Sequence, residues 1–119
     1  MRVAIPRFGE QVAPCFEYSA TITIFVLRRR EIAEQRDFRL QSRDALDRVR
    51  LLRDQQVNTL ICGGVHERVE QMLCASGIRV ISWVTGTVDD LLNRFIEGTL
   101  PAGGIRPRGT PGTGSEEGA

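Results

Sequence analysis

The spacing of apolar residues changes near position 42, and this change constrains the fold more than any other feature of the chain. Before it, Ile22, Ile24 and Val26 alternate with their neighbours in the period of a β-strand. After it, runs with helical spacing alternate with short apolar runs. Strands that alternate with helices are typical of parallel strands joined by right-handed crossovers. The pattern therefore predicts an α/β domain.

We expect five strands in this domain. They cover residues 2–5, 21–27, 32–40, 57–62 and 78–84. Pro6 closes the first strand, and residues 28–31 form a hairpin turn between the next two. The third strand is polar, which suits the edge of a sheet. The predicted architecture is a five-stranded mixed sheet of order 3-2-1-4-5, with helices on both faces.

Three helices are indicated by apolar residues three and four positions apart. The first has Leu46, Val49 and Leu52 on one face, with Ser42 as the N-cap and Asp44 in the first turn. The apolar face of the second helix consists of Val65, Val69, Met72 and Leu73. The third helix is capped by Thr87, is apolar at Val88, Leu91, Leu92 and Phe95, and ends at Gly98.

The charge of the chain excludes several classes of function. Sixteen basic residues nearly cancel fifteen acidic ones, so nothing draws the protein to nucleic acids or anionic membranes. All sixteen are arginines, which excludes a lysine nucleophile and a P-loop lysine. The arginines at 28–30 are compatible with an anion or RNA patch. No aromatic residue is interleaved with them, which favours a solvated turn.

The periodic pattern also predicts the domain organisation. Residues 1–100 form the α/β domain, and residues 101–119, rich in Gly and Pro, form a disordered tail. The apolar run at the N-terminus is too short for a signal peptide, and no stretch is long enough to span a membrane. Three cysteines without a CxxC motif fit a cytoplasmic protein.

Two loops are expected to meet at the carboxyl ends of the predicted first and fourth strands, where ligands bind in such sheets. One contains residues 13–16 and the other residues 62–68. Gly63 and Gly64 precede a helix, and backbone N–H groups at such a position can cradle an anion. The alternative is a tight strand-to-helix turn that requires positive φ.

The same loops contain candidate metal ligands. Cys15, Cys62 and His66 would form an incomplete ligand set, which the sulfides of a cluster or a second copy of the chain could complete. A cysteine at a strand end, such as Cys62, is more often a small buried apolar residue than a ligand, and a histidine in a first helical turn, such as His66, is more often solvent-facing. Cys15 is the strongest candidate, because it follows proline in a loop where packing does not require it.

Enzyme signatures are absent from the sequence, which contains no GxSxG, HExxH or P-loop motif. The predicted strand order also occurs in ribonuclease H-type nucleases, which hold magnesium with carboxylates on their strands. Residues 2–5 and 59–62 contain no carboxylate, so a nuclease is excluded. We therefore expect a protein that is not an enzyme.

Five short motifs occur in order along the first 98 residues. They are MRVAIP at 1–6, VAPCF at 12–16, ICGGV at 61–65, GIRV at 77–80 and GTV at 86–88. Together they resemble the dinitrogenase iron-molybdenum cofactor biosynthesis family, which includes the NifX- and NafY-type carriers and the C-terminal domain of NifB. The resemblance implies a ribonuclease H-like fold without nuclease activity.

The resemblance further implies a non-enzymatic accessory protein of nitrogenase cofactor assembly. Such a protein binds, stores or passes on an iron-molybdenum cofactor or its iron-sulfur precursor, and its partners are the proteins that donate or accept the cluster. Many family members carry a histidine implicated in cluster binding at the position of Cys15, and many have glycine at the position of Glu17. The residues assigned to cofactor binding are Cys15, Gly63, Gly64, Val65, His66 and Arg68.

Two alternatives remain open from the sequence. The same scaffold could serve as a metal-free regulatory module that binds a small molecule or anion, or as an adaptor between proteins, since fold alone does not define function. The sequence also leaves open whether the protein forms a homodimer.

Overall fold

A computed structural model of the protein describes residues 1–100, which form a mixed sheet and three α-helices. The strands are β1 (Arg2–Phe8), β2 (Gln11–Val12), β3 (Thr21–Arg28), β4 (Glu31–Arg39), β5 (Thr59–Ile61) and β6 (Arg79–Ile81). The helices are α1 (Ala45–Asp54), α2 (Glu67–Ala75) and α3 (Val88–Glu97), and a short 3-10 helix covers Phe16–Tyr18. The α/β class predicted from the sequence is confirmed.

The sheet has six strands, and its order is β4-β3-β1-β5-β6, with β2 paired to β1 off this path. The predicted number of five strands is corrected to six, because β2 lies in the segment that the sequence assigned to a loop. Counting β2 changes the strand numbers, so that the predicted order 3-2-1-4-5 becomes 4-3-1-5-6. Strand β1 is antiparallel to β3 and parallel to β5, which is in turn parallel to β6. The carboxyl ends of β1, β5 and β6 therefore lie at the same edge.

Pro6 does not close β1, contrary to the prediction, since the strand continues to Phe8. The Pro6 carbonyl accepts a hydrogen bond of 2.8 Å from the Ala13 N–H, on the side of β1 that turns back as β2. The pairing with β5 extends only over Val3 and Ala4. A proline without an N–H is tolerated here because no parallel ladder bond is needed beyond that point.

The hairpin between β3 and β4 is confirmed. Arg29 and Arg30 form its two-residue turn, with φ angles of 55° and 66°. Two consecutive positive φ angles are typical of the turn whose twist matches that of paired strands. Strand β4 is largely exposed and lies at the edge of the sheet, as its polar sequence predicted.

Alternating residues of β1 face two separate apolar cores. Ala4 belongs to the cluster formed with α1 and α2, whereas Val3 and Ile5 belong to the cluster formed with α3. Helices therefore cover both faces of the sheet, as predicted. The side chains divide in this way because successive residues of a strand point to opposite faces of the sheet.

The structure corrects the helix starts. Asp44, rather than Ser42, caps α1 by accepting a 2.9 Å hydrogen bond from the Leu46 N–H. Leu46 and Met72, both expected on apolar faces, are exposed. Helix α2 begins at Glu67 instead of Val65. The predictions for α3 are confirmed, since Thr87 caps its start and Gly98 ends it with a φ of 78°.

The predicted tail at residues 101–119 lies outside the described part of the chain. Within the described part, no helix is long and apolar enough to cross a membrane.

Candidate functional site

The two loops singled out in the sequence lie against each other at the carboxyl ends of β1 and β5. Cys15 and Gly64 form an isolated parallel bridge. The Gly64 N–H donates to the Pro14 carbonyl at 2.7 Å, and the Phe16 N–H donates to the Gly64 carbonyl at 2.8 Å. Phe16 is fully buried and anchors its end of the loop in the core. Cys15 and the glycine pair thus share one rim, as the sequence predicted.

Close packing explains the glycines at 63 and 64. A Cβ on Gly63 would lie 2.6 Å from the Ala13 oxygen, and one on Gly64 would lie 3.1 Å from both the Pro14 oxygen and the Trp83 ring. Neither glycine has a positive φ, so a turn that requires this conformation is not the reason for them. Only a residue without a side chain lets the Cys15 loop approach this closely.

The expected anion cradle is partly occupied by the protein itself. The Gly64 N–H is bonded to Pro14, and the His66 N–H donates to Oε2 of Glu17 at 2.6 Å. The Arg68 N–H donates to Nδ1 of His66 at 3.1 Å. Three of the backbone donors near this helix start therefore already have acceptors within the protein, and one of them, the Gly64 N–H, belongs to the predicted cradle.

Glu17 links the two loops through its side chain. The Cys15 thiol donates to Oε1 of Glu17 at 3.1 Å, while Oε2 accepts from His66. Burial of the thiol raises the pKa of Cys15, and the hydrogen bond and negative charge of Glu17 raise it further. In this state Cys15 is a protonated thiol at neutral pH.

His66 caps α2. Its Nδ1 accepts the Arg68 N–H, so the proton of a neutral imidazole lies on Nε2. To bind a metal, His66 would have to give up the hydrogen bond at Nδ1 or move its proton from Nε2. Arg68 itself is exposed on the first turn of α2, and Val65 is buried against the core.

Cys62 does not reach the rim. It is fully buried in the core cluster that includes α1 and α2, and this burial strongly raises the pKa of its thiol. Across residues 1–100, no three His, Cys, Asp or Glu side chains are arranged to hold a metal ion. The predicted set Cys15, Cys62 and His66 therefore does not form a ready-made site.

Two cavities flank the Cys15 loop, and Pro14, Cys15 and Tyr18 line both of them. The first, here called the α2-side cavity, has a volume of about 690 Å³ and is also lined by Glu17, Arg43, Ala45, Gly64, Val65, His66, Val69 and Trp83. The second, the β4-side cavity, has a volume of about 590 Å³ and extends toward Arg7 and Arg39. Both are large enough for a small-molecule ligand.

Sequence reasoning missed Glu17 and Trp83 as site residues. Trp83 follows β6, packs on Gly64 and has a φ of 64°, an uncommon conformation for an aromatic residue. Its place after a predicted strand at the ligand-binding edge was an available signal. For Glu17, the available signal was the departure from the glycine that the resemblance implies at this position.

The family model described as dinitrogenase iron-molybdenum cofactor matches residues 1–98. The chain belongs to this family. The match extends from β1 to the end of α3 and includes both loops of the site. The resemblance inferred from the five motifs is thereby confirmed, and with it the connection of the family with this cofactor.

Several solved structures have the same fold. The protein PH0822 has a TM-score of 0.80 and 22% identity, and the match covers 86% of this chain and 94% of that one. A candidate dinitrogenase from Methanocaldococcus jannaschii has a TM-score of 0.74 and 21% identity, with 86% and 93% covered. The apo form of the orange protein from Desulfovibrio gigas has a TM-score of 0.69 and 23% identity, with 85% and 91% covered. No curated protein matches this sequence.

Proposed function

We propose that this protein binds an iron-molybdenum cofactor or an iron-sulfur precursor at the α2-side cavity and hands it on during nitrogenase cofactor assembly. The observation that carries the proposal is that Cys15 lines a cavity in a chain that belongs to this family. Its thiol lies at the rim of a cavity of about 690 Å³. Backbone hydrogen bonds of the flanking residues Pro14 and Phe16 hold this loop against Gly64.

The donor set suits a cluster better than a single metal ion. Cys15 offers one thiol, and the sulfides of a cluster would supply most of the remaining coordination of its metals. Arg43 is exposed beside the cavity and brings a positive charge toward an anionic cargo. The rings of Tyr18 and Trp83 give the cavity apolar walls.

Binding requires a local change at Glu17. A thiol that coordinates a metal loses its proton, and the Glu17 carboxylate now accepts the hydrogen bond of that thiol. On binding, Glu17 would take up the proton or turn away from the new thiolate. Such a rearrangement also releases the His66 N–H, the second group that Glu17 holds.

We further propose that the protein acts without catalysing a reaction and exchanges its cargo with other proteins of cofactor assembly. A single cluster ligand on a surface loop allows transfer, because few protein bonds need to break when the cargo leaves. The remaining predicted ligands fit this role less well. Cys62 is buried, and His66 caps a helix.

Anaerobic reconstitution tests the proposal. The wild type is incubated with iron and sulfide, or with isolated iron-molybdenum cofactor, and bound metal is measured by elemental analysis and visible absorption. Quenching of Trp83, the single tryptophan of the chain, reports occupancy of the α2-side cavity. Cys15→Ala should lose the bound metal, whereas Cys74→Ala, an exposed cysteine on α2, should retain it.

Two results would contradict the proposal. One is a wild type that stays colourless and metal-free in both incubations, which would favour a metal-free binding module. The other is a Cys15→Ala variant that binds as much metal as the wild type, since its cargo would then be held elsewhere.

A further inference from the structure

The β4-side cavity shares only Pro14, Cys15 and Tyr18 with the α2-side cavity of the proposed cluster site. It opens between the β1–β2 turn and the start of β3, beside the end of β4. Glu17, His66 and Trp83 do not line it. A ligand there would occupy a different space from a cargo in the α2-side cavity.

Two arginines give this cavity its charge. Arg7 and Arg39 line it, and none of its lining residues within the described chain is acidic. The ion pairs found between described residues involve neither of them. The cavity therefore has an excess of positive charge that an anionic ligand would neutralise.

Arg7 is already oriented. Its Nε donates to the Gly9 carbonyl at 2.8 Å, and its Nη1 donates to Oγ1 of Thr23 at 3.3 Å. Thr23 is itself bonded to the Asp37 carboxylate at 2.6 Å, so Asp37 faces the threonine and is not within ion-pair distance of Arg7. A guanidinium held at two nitrogens loses little freedom when its remaining N–H groups meet a ligand.

Arg39 lies across the sheet from Arg7. It ends β4 and pairs with Thr21, and Thr21 in turn pairs with Arg7 on β1. The three residues are thus consecutive neighbours across three strands. This register brings the two arginines to the same end of the sheet, and they line one cavity.

Two exposed aromatic rings complete the cavity. Phe8 is 78% exposed and Tyr18 is 80% exposed, although both line the same space. Two exposed rings beside one cavity form a continuous apolar surface that a ligand would cover. Rings beside two guanidinium groups suit a ligand that combines a flat apolar body with a negative charge.

We propose that the β4-side cavity binds a small organic anion with a planar apolar part, through Arg7 and Arg39 and the rings of Phe8 and Tyr18. The site is independent of the cluster proposal, because it needs no metal. Since Cys15 lines both cavities, a ligand in this one would lie beside the thiol.

Titration of the metal-free, full-length protein with phthalate and with phenyl phosphate tests this inference. Amide chemical shifts followed by NMR should change at Arg7–Gly9, Tyr18–Thr21 and Arg39. Benzyl alcohol, which has the ring alone, and inorganic phosphate, which has the charge alone, should bind at least tenfold more weakly. Tighter binding of phthalate would indicate a carboxylate ligand, and tighter binding of phenyl phosphate would indicate a phosphate ligand.

Arg39→Gln should weaken binding of the better probe at least fivefold. Arg53→Gln, an exposed arginine of α1 outside the cavity, serves as the control and should leave binding unchanged. The inference is overturned if neither probe shifts these amides, if inorganic phosphate binds as well as the ring-bearing probes, or if both variants bind alike.

Discussion

The Cys15 thiol lies 3.1 Å from the Glu17 carboxylate and donates a hydrogen bond to it. The same carboxylate holds the backbone of His66 through its other oxygen. One acidic side chain thereby joins the candidate ligand to the start of α2. Burial raises the pKa of the Cys15 thiol, and this contact raises it further and keeps the two loops together.

Replacing Glu17 with Gln should make Cys15 more reactive. Glu17 raises the pKa of the thiol partly through its negative charge, which glutamine lacks, so the substitution lowers this pKa and increases the thiolate fraction at a given pH. The rate of iodoacetamide alkylation between pH 7 and 9 measures this effect. A Cys74→Ala background removes the other accessible cysteine, since Cys62 is buried. An unchanged rate would mean that Glu17 does not control the thiol.

Cys62 should make the stability of the protein fall at alkaline pH. Its pKa is raised by burial, so the folded state keeps a proton that the unfolded chain loses above about pH 9. The unfolding free energy then decreases with rising pH, by up to about 1.4 kcal/mol per pH unit for one proton. Urea denaturation from pH 7 to 10 measures the slope.

The matched variant for this effect is Cys62→Ala. Its unfolding free energy should be lower at pH 7, because a buried side chain is shortened, but its decline above pH 9 should be shallower than in the wild type. If the unfolding free energies of the two proteins declined equally with pH, Cys62 would not be the source of the alkaline loss of stability.

Gly63→Ala should destabilise the protein by about 2–3 kcal/mol and displace the Cys15 loop. The added Cβ would lie 2.6 Å and 2.8 Å from two backbone oxygens, which cannot turn away as a flexible side chain can. Gly9→Ala is the comparison, because Gly9 has a positive φ but open space around it. It should cost only about 1 kcal/mol. Equal losses in urea denaturation would show that the close approach is not limiting.

Arg48→Met should cost about 3 kcal/mol of stability. Arg48 is only 2% exposed, and its guanidinium donates to the carbonyls of Ser19, Ser42 and Asp44, which ties α1 to the end of the Cys15 loop. Methionine fills much of the space but leaves these carbonyls without that donor. The exposed Arg50→Met is the control and should change stability by less than about 0.5 kcal/mol. Similar losses of unfolding free energy in both variants would show that the hydrogen bonds of Arg48 do not stabilise the contact between α1 and the Cys15 loop.

The sequence predicted most of the architecture, because apolar periodicity records which face of each element is buried. The hairpin, the polar edge strand and α3 with its Thr87 cap needed no more than local patterns. The errors lay where local patterns compete. Ser42 and Asp44 are both good caps, and only the packing of α1 selects between them. Strand β2 has two residues, too few to show a period.

The candidate site was predicted in part. The meeting of Cys15 with Gly64 follows from parallel topology, which places strand ends at one edge. For Cys62 the sequence favoured burial over a role as ligand, because a cysteine at a strand end is more often a small apolar core residue, and the structure confirms this burial. Nothing in the local sequence around Glu17 indicates that its carboxylate reaches His66, 49 positions later in the chain.

The order and period of its apolar residues determined that this chain forms a mixed sheet covered by helices, since burial of those residues drives folding and their spacing selects the element. Only the tertiary structure decided which polar groups are left to bind a ligand. In the folded protein the N–H groups of Gly64 and His66 have acceptors, Cys62 is buried, and Cys15 lies at a cavity rim. Hydrogen bonds between distant residues depend on distances of a few ångströms, and those are set by packing in three dimensions.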